Sequence, residues 1–258
     1  MTTEVGAGFA YSLIDERGRK MAIRTLSEKR TSDQMLERQM RNWEIARSQD
    51  HRDRPESGPP TAVKDFITIS RSVGLPGNAL ADRLQARLGW PVFDREILRT
   101  MAGNDECRER IFRDLDERAE NWVEAFVRGF MQPTFVGREA YFNRLVETVA
   151  ALSRSAPAIF IGRGVDMILP RDLGLRVRLS AGRDYCARAY SDERSVTFES
   201  AMREIESVER NRAQYIKQNF HVAPDAAARF DVIVNMERVT LDEAVDMVFS
   251  VLTSRGIV

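Results

Sequence analysis

Four stretches of this sequence set cations, glycines and helix starts together in ways suited to holding a phosphate. The first runs Ser70-Arg71-Ser72-Val73-Gly74-Leu75-Pro76-Gly77-Asn78-Ala79-Leu80. An apolar strand, a glycine-containing turn and a helix start, in that order, converge backbone N–H groups and the positive end of a helix dipole on one point. A phosphate loop usually closes on Gly-Lys-Ser/Thr, its Lys reaching the β/γ-phosphates and its hydroxyl holding magnesium. Here those two positions are Asn78 and Ala79, which supply neither charge nor a metal ligand. A plain strand-to-helix turn is the competing account of this loop.

The second stretch is 93–99, Phe-Asp-Arg-Glu-Ile-Leu-Arg, where a strand gives way to a helix. Arg95 and Arg99 lie at i, i+4 on one helix face and could both address a phosphate, or stand solvated beside Glu96. The third places Arg163 between Gly162 and Gly164 directly after an apolar run, at the mouth of the crevice where open α/β sheets bind ligands. Glycines on both sides permit close backbone approach, which a merely solvated arginine does not need. The fourth is the helix carrying Glu209-Arg210-Asn211-Arg212. Its apolar stripe of Ile205, Val208, Tyr215 and Ile216 brings Arg212 close to the buried face. A buried arginine demands an anion, either a ligand or a carboxylate of the chain. Just upstream, Arg183, Arg188, Arg194 and Arg203 could arm a mobile lid.

These residues need elements to position them, and hydrophobic periodicity supplies a set. Runs at 66–70, 91–94, 158–161, 175–179 and 230–234 read as strands, most of them near-continuously apolar, as expected for strands covered on both faces. Helical patterns fill 77–88, 95–102, 105–131, 138–154, 183–190, 197–220 and 240–254, the last with Thr240 as N-cap and Glu243 completing a capping box. Strands alternating with helices predict a parallel α/β sheet with right-handed crossovers, helices on both faces. The composition shifts once. Residues 1–50 form a charged helical arm, 51–62 a polar Pro-containing linker, and 63–258 the α/β domain. On the arm, Leu36, Met40, Trp43 and Arg47 recur at helical spacing. Either they pack on their own domain, or the arm docks a second subunit or another protein.

Bulk composition narrows the function classes. Lys plus Arg and Asp plus Glu stand at 39 each, so no net charge favours nucleic acid or a membrane surface. The basic side is nearly all arginine, with Lys only at 20, 29, 64 and 217. That bias suits forked contacts to phosphate, and equally a GC-rich genome. Two cysteines and two histidines make neither a disulfide framework nor a metal cluster, and no metal site is expected. No apolar run approaches the roughly 20 residues of a bilayer span, and the N-terminus has no signal-peptide pattern. A reducing cytoplasm is the expected setting.

Taken in order, the motifs resemble the cytidylate kinase family, particularly its divergent cytidylate kinase-like branch. The loop 70–78 echoes that family's glycine-rich loop, and Trp90 to Ile97 matches its Trp-Pro-x-aromatic-Asp-basic-Glu-Ile segment. Residues 162–169 (Gly-Arg-Gly-Val-Asp-Met-Ile-Leu), the Arg-Asn-Arg of 210–212 and the late strand 230–236 complete the series. The resemblance implies a P-loop kinase-type five-stranded parallel sheet and transfer of the ATP γ-phosphate to CMP, dCMP or a related nucleotide. Arg99, Asp94, Arg163, Glu209 and Arg212 would form the acceptor site, with Arg163 and Arg212 also catalytic. Arg71, Ser72, Gly74, Gly77, Asn78 and Ala79 would face ATP, with Mg2+ held by waters and phosphates. Lid arginines or Arg71 would stand in for the loop cation missing at Asn78. The sequence departs from the family at Asn78, Ala79 and Ile205. A catalytically degenerate homologue, serving as nucleotide sensor or assembly subunit, is therefore the alternative.

Overall fold

The computed structural model describes residues 26–53, 63–113, 117–130, 139–223 and 226–258. Five strands make one all-parallel sheet: β1 (Phe66–Arg71), β2 (Val92–Phe93), β3 (Ala158–Ile161), β4 (Leu175–Ser180) and β5 (Val232–Asn235). Their spatial order is β2-β3-β1-β4-β5, so β1 sits at the centre between β3 and β4. The order reverses at β1, which opens a crevice above its carboxyl end. β3 is fully buried and β1 nearly so, which is why both read as unbroken apolar runs.

Helices cover both faces. One side holds α3 (Arg95–Gly103), α4 (Asp105–Phe112), α5 (Glu117–Phe130) and α6 (Glu139–Ser155), joined in a core around Phe93, Leu98, Val149 and Phe160. The other holds α2 (Gly77–Leu88) and α10 (Leu241–Ser254), whose Leu80, Leu84, Val248 and Leu252 pack against Ile69, Val177 and Leu179. The predicted capping box is present: the Thr240 hydroxyl accepts from the Glu243 N–H, and the Glu243 carboxylate from the Thr240 N–H.

The expected single helix over 105–131 is two helices, α4 and α5. With 3.6 residues per turn, Ile111 and Val123 on one straight helix would face about 120° apart. Breaking the helix lets Cys107 and Ile111 from α4, and Val123 and Val127 from α5, enter the same core. Two short elements had no sequence signal: α7 (Val165–Ile168) and a 3-10 turn at Ala227–Arg229.

The N-terminal helix α1 (Leu26–Asp53) lays Leu36, Met40 and Trp43 into the core built by α3, α4 and α6. Its Gln39 carboxamide accepts the Val92 N–H at 3.1 Å, and so closes the free edge of β2. The helical stripe read from the sequence therefore serves its own chain. Residues 1–25 of the expected arm, and most of the linker, lie outside the described residues.

A candidate anion-binding site above the central strands

A cavity of about 510 Å³ opens at the carboxyl ends of β1 and β3, walled by α9 (Phe198–Phe220). Six arginines line it, Arg71, Arg95, Arg163, Arg178, Arg212 and Arg229, against two carboxylates, Asp166 and Glu209. Glu209 and Asp166 are each held by an arginine, Glu209 to Arg212 at 3.3 Å and Asp166 to Arg229 at 2.6 Å. Among the described residues no carboxylate pairs with Arg71, Arg95 or Arg163, and their charge converges on the cavity, an arrangement whose electrostatic cost falls when an anion enters.

Arg163 is held in a sparsely populated backbone region, φ 55°, between Gly162 and Gly164 at φ 76° and 70°. A side chain at 164 could not be accommodated: a Cβ there would lie 2.4 Å from the Phe220 ring. Strain of this kind persists where the surroundings enforce it. The guanidinium lies between two rings, 5.8 Å from Tyr141 and 5.9 Å from Tyr215. Among the described residues its Nε and the Tyr141 hydroxyl are buried without a hydrogen-bond partner. Burial raises the pKa of both phenols, most for Tyr215, so each stays protonated at neutral pH.

Behind this wall stands Arg176 of β4, wholly buried. It donates to the carbonyls of Asp166, Leu169, Pro170 and Leu173 at 2.6 to 3.0 Å, and lies over Phe66. Burial lowers its pKa, and those carbonyls supply the partners it needs. By gathering the carbonyls that follow α7, it fixes the segment that leaves the Arg163 turn. The sequence offered only an alternating Leu-Arg-Val-Arg-Leu strand.

The loop 72–76 presents a different inventory. Val73 N–H donates to Glu209 Oε1 at 2.7 Å, Leu75 N–H to the Ser72 carbonyl, and Gly77 N–H to the Leu75 carbonyl. Ser72 N–H is taken by Leu179, and Pro76 has none to give. The Ser70 and Ser72 hydroxyls accept from Arg178 at 2.9 and 3.3 Å. With Ala79 in the place of the metal-binding hydroxyl, the loop residues do not fit a protein-held magnesium. Among the described residues no cluster of His, Cys, Asp or Glu would hold a metal either.

The expected acceptor residues are spread unevenly. Arg163, Arg212 and Glu209 meet in the cavity, with Arg71 from the loop. Burial lowers the pKa of Arg212, and Glu209 counteracts it. Asp94 caps α3, accepting from Glu96 N–H and Ile97 N–H at 2.8 Å each. Arg95 lines the cavity, whereas Arg99 turns to Glu96 at 3.4 Å and stays outside it. Arg183, Arg188 and Arg194 on α8 (Arg183–Arg194) and Arg203 on α9 do not line it. Arg178, Arg229 and Asp166 were not singled out in the sequence. Arg178 was hidden in strand alternation, and Arg229 in the unpredicted 3-10 turn.

Strand order and crevice together define an α/β domain built like a P-loop kinase. The cytidylate kinase-like family model matches residues 66–238, and the chain belongs to that family. Among solved structures, an uncharacterized protein from Eubacterium ventriosum is 18% identical, over 74% of this chain and 99% of its own, with a TM-score of 0.58. Shikimate kinase from Bacteroides thetaiotaomicron, also 18% identical, over 73% of this chain and 98% of its own, superposes with a TM-score of 0.39. No curated protein matches the chain significantly.

Proposed function

We propose that this protein is a nucleoside monophosphate kinase-like phosphotransferase that takes the monophosphate of CMP, dCMP or a related acceptor in the arginine cavity. The observation that carries this reading is the cavity itself, where among the described residues Arg71, Arg95 and Arg163 face two carboxylates that are already paired with Arg212 and Arg229. Arg163 and Arg212 would grip the acceptor phosphate, with Arg95 in support. ATP would be the donor, approaching over the loop 71–79 with magnesium carried on its own phosphates and waters. Asp94 serves this site through the α3 start it caps, and Arg99 would join only by leaving Glu96.

The test is calorimetric titration with CMP, dCMP, UMP, AMP and ATP with magnesium, each separately. CMP or dCMP should bind selectively, and Arg163→Ala should weaken that binding about a hundredfold, by loss of charge-assisted bonds in a desolvated site. Absence of binding by every nucleotide would falsify the reading.

One observation favours a second reading, a degenerate homologue that binds an acceptor nucleotide without turnover, as a sensor or assembly subunit. Asn78 and Ala79 remove the loop cation and hydroxyl, and the amides of Ser72, Val73, Leu75 and Gly77 are taken within the chain. CMP binding without ATP binding selects it. Both readings suit a cytoplasmic protein with reduced cysteines. No described helix is long and apolar enough to cross a membrane. Self-association through α1 would have to use its outer side, where Met35 and Ile45 are exposed.

A further inference from the structure

Arg71 belongs to the loop by its backbone and to the cavity by its side chain. Its stem turns back over the start of α2. A Cβ on Gly77 would lie 2.5 Å from Arg71 Cδ, and one on Gly162 would lie 3.7 Å from an Arg71 terminal nitrogen. The guanidinium therefore spans from the first turn of α2 to the turn that carries Arg163. Its hydrogen bond to Asn78 Oδ1 is long, at 3.4 Å.

No carboxylate pairs with Arg71 among the described residues. The acidic groups near it are otherwise engaged, Asp94 in capping α3 and Glu209 in holding Val73 N–H and Arg212. The neighbouring cation Arg212 donates to the carbonyl of Arg71 at 3.0 Å. Burial first, then the charge of Arg212, push the Arg71 pKa down to about 10, so it is still a cation at neutral pH. A buried cation beside other cations costs stability unless an anion joins it.

Position 78 fits the same account. Asn78 turns an amide oxygen toward Arg71, whereas a lysine there would set one cation against another. Gly77 fits it too, since any side chain would collide with the arginine stem lying across it.

We propose that Arg71 is the phosphate-gripping cation of this loop, supplying from the end of β1 the charge that Asn78 does not, with Gly77 kept bare to let it lie there. The ligand class is a phosphate-chain anion seated between the start of α2 and the cavity. The proposal deepens the kinase reading but does not need a particular acceptor base.

The probe is inorganic pyrophosphate, titrated calorimetrically into the full chain alongside a thermal melt. Arg71→Met should lower pyrophosphate affinity roughly tenfold or more, the scale of a lost charge-assisted bond, while Tm stays level or rises because a crowded cation has gone. Gly77→Ala, which leaves every charge in place, should weaken pyrophosphate in the wild-type background and add nothing in Arg71→Met. Unchanged affinity in Arg71→Met overturns the proposal, as does absence of pyrophosphate binding in the wild type or additive losses in the double variant. A fall in Tm that accompanies the lost affinity assigns Arg71 a structural role instead. CMP titration of the wild type reports separately on the nucleotide reading, so the two can fail independently.

Discussion

The cavity wall and the loop beside it both grow from the end of β1, yet they handle polar groups in opposite ways. In the cavity, among the described residues, arginines outnumber carboxylates, and the buried Nε of Arg163 has no partner. In the loop, Ser72, Val73, Leu75 and Gly77 N–H all have acceptors within the chain. Among the described residues the wall holds more arginines than carboxylates, while these four loop amides are already engaged. What draws a phosphate is thus the inventory of unsatisfied donors, and strand-loop-helix geometry does not guarantee that inventory.

The largest effect expected concerns what holds the wall. Arg176→Met would strip the partner from the carbonyls of Asp166, Leu169, Pro170 and Leu173, all gathered at one guanidinium. Leaving such groups buried costs about 3 kcal/mol or more, a fall in Tm of roughly 6–12 °C for a domain of this size. A melt settles it: a variant as stable as wild type would show that the Arg163 turn is held by something else.

The two regions were also unequally legible in the sequence. Strand runs and the capping box at Thr240 could be read directly, because a sheet covered on both faces leaves unbroken apolar stretches and a capping box has fixed spacing. Arg163 and Arg212 could be read as cavity arginines because glycines flank one and an apolar stripe borders the other. Arg176 and Arg178 could not, since a strand arginine looks alike whether it faces a cavity, a carbonyl cluster or water, nor could Arg229, which lies in a 3-10 turn with no sequence signal. The break between α4 and α5 leaves no local signal, because periodicity on each side is helical, and only the facing of Ile111 against Val123 requires it.

A middle-sized effect tests whether the loop can be recovered. Asn78→Lys with Ala79→Ser restores the residue types of an ordinary phosphate loop. If the occupied amides and the Arg71 stem are what limit it, pyrophosphate affinity should rise by less than about tenfold, the worth of one modest charged bond. Any turnover should rise in proportion. A gain of a hundredfold or more would erase the contrast between the regions, since the two side chains alone would then have been the deficit.

The smallest expected effect has the most informative sign. Glu209 Oε1 sits 2.7 Å from Val73 N–H and 3.3 Å from Arg212 Nη1, where it engages a loop amide and a cavity arginine together. If Glu209 served as a ribose contact, Glu209→Gln would weaken CMP and leave pyrophosphate alone. As a carboxylate resident among cationic donors, it competes with any incoming phosphate. Glu209→Gln keeps the size and an amide oxygen for Val73 N–H while it removes that competing charge. Both partners are about one-third exposed, and screening moderates the gain. Pyrophosphate and CMP should therefore bind only a few-fold tighter, on the order of 0.5–1 kcal/mol. The gain should shrink as salt is added, because the interaction lies within reach of counterions. Weaker binding of both ligands would mean that Glu209 orients Arg212 productively and is no competitor.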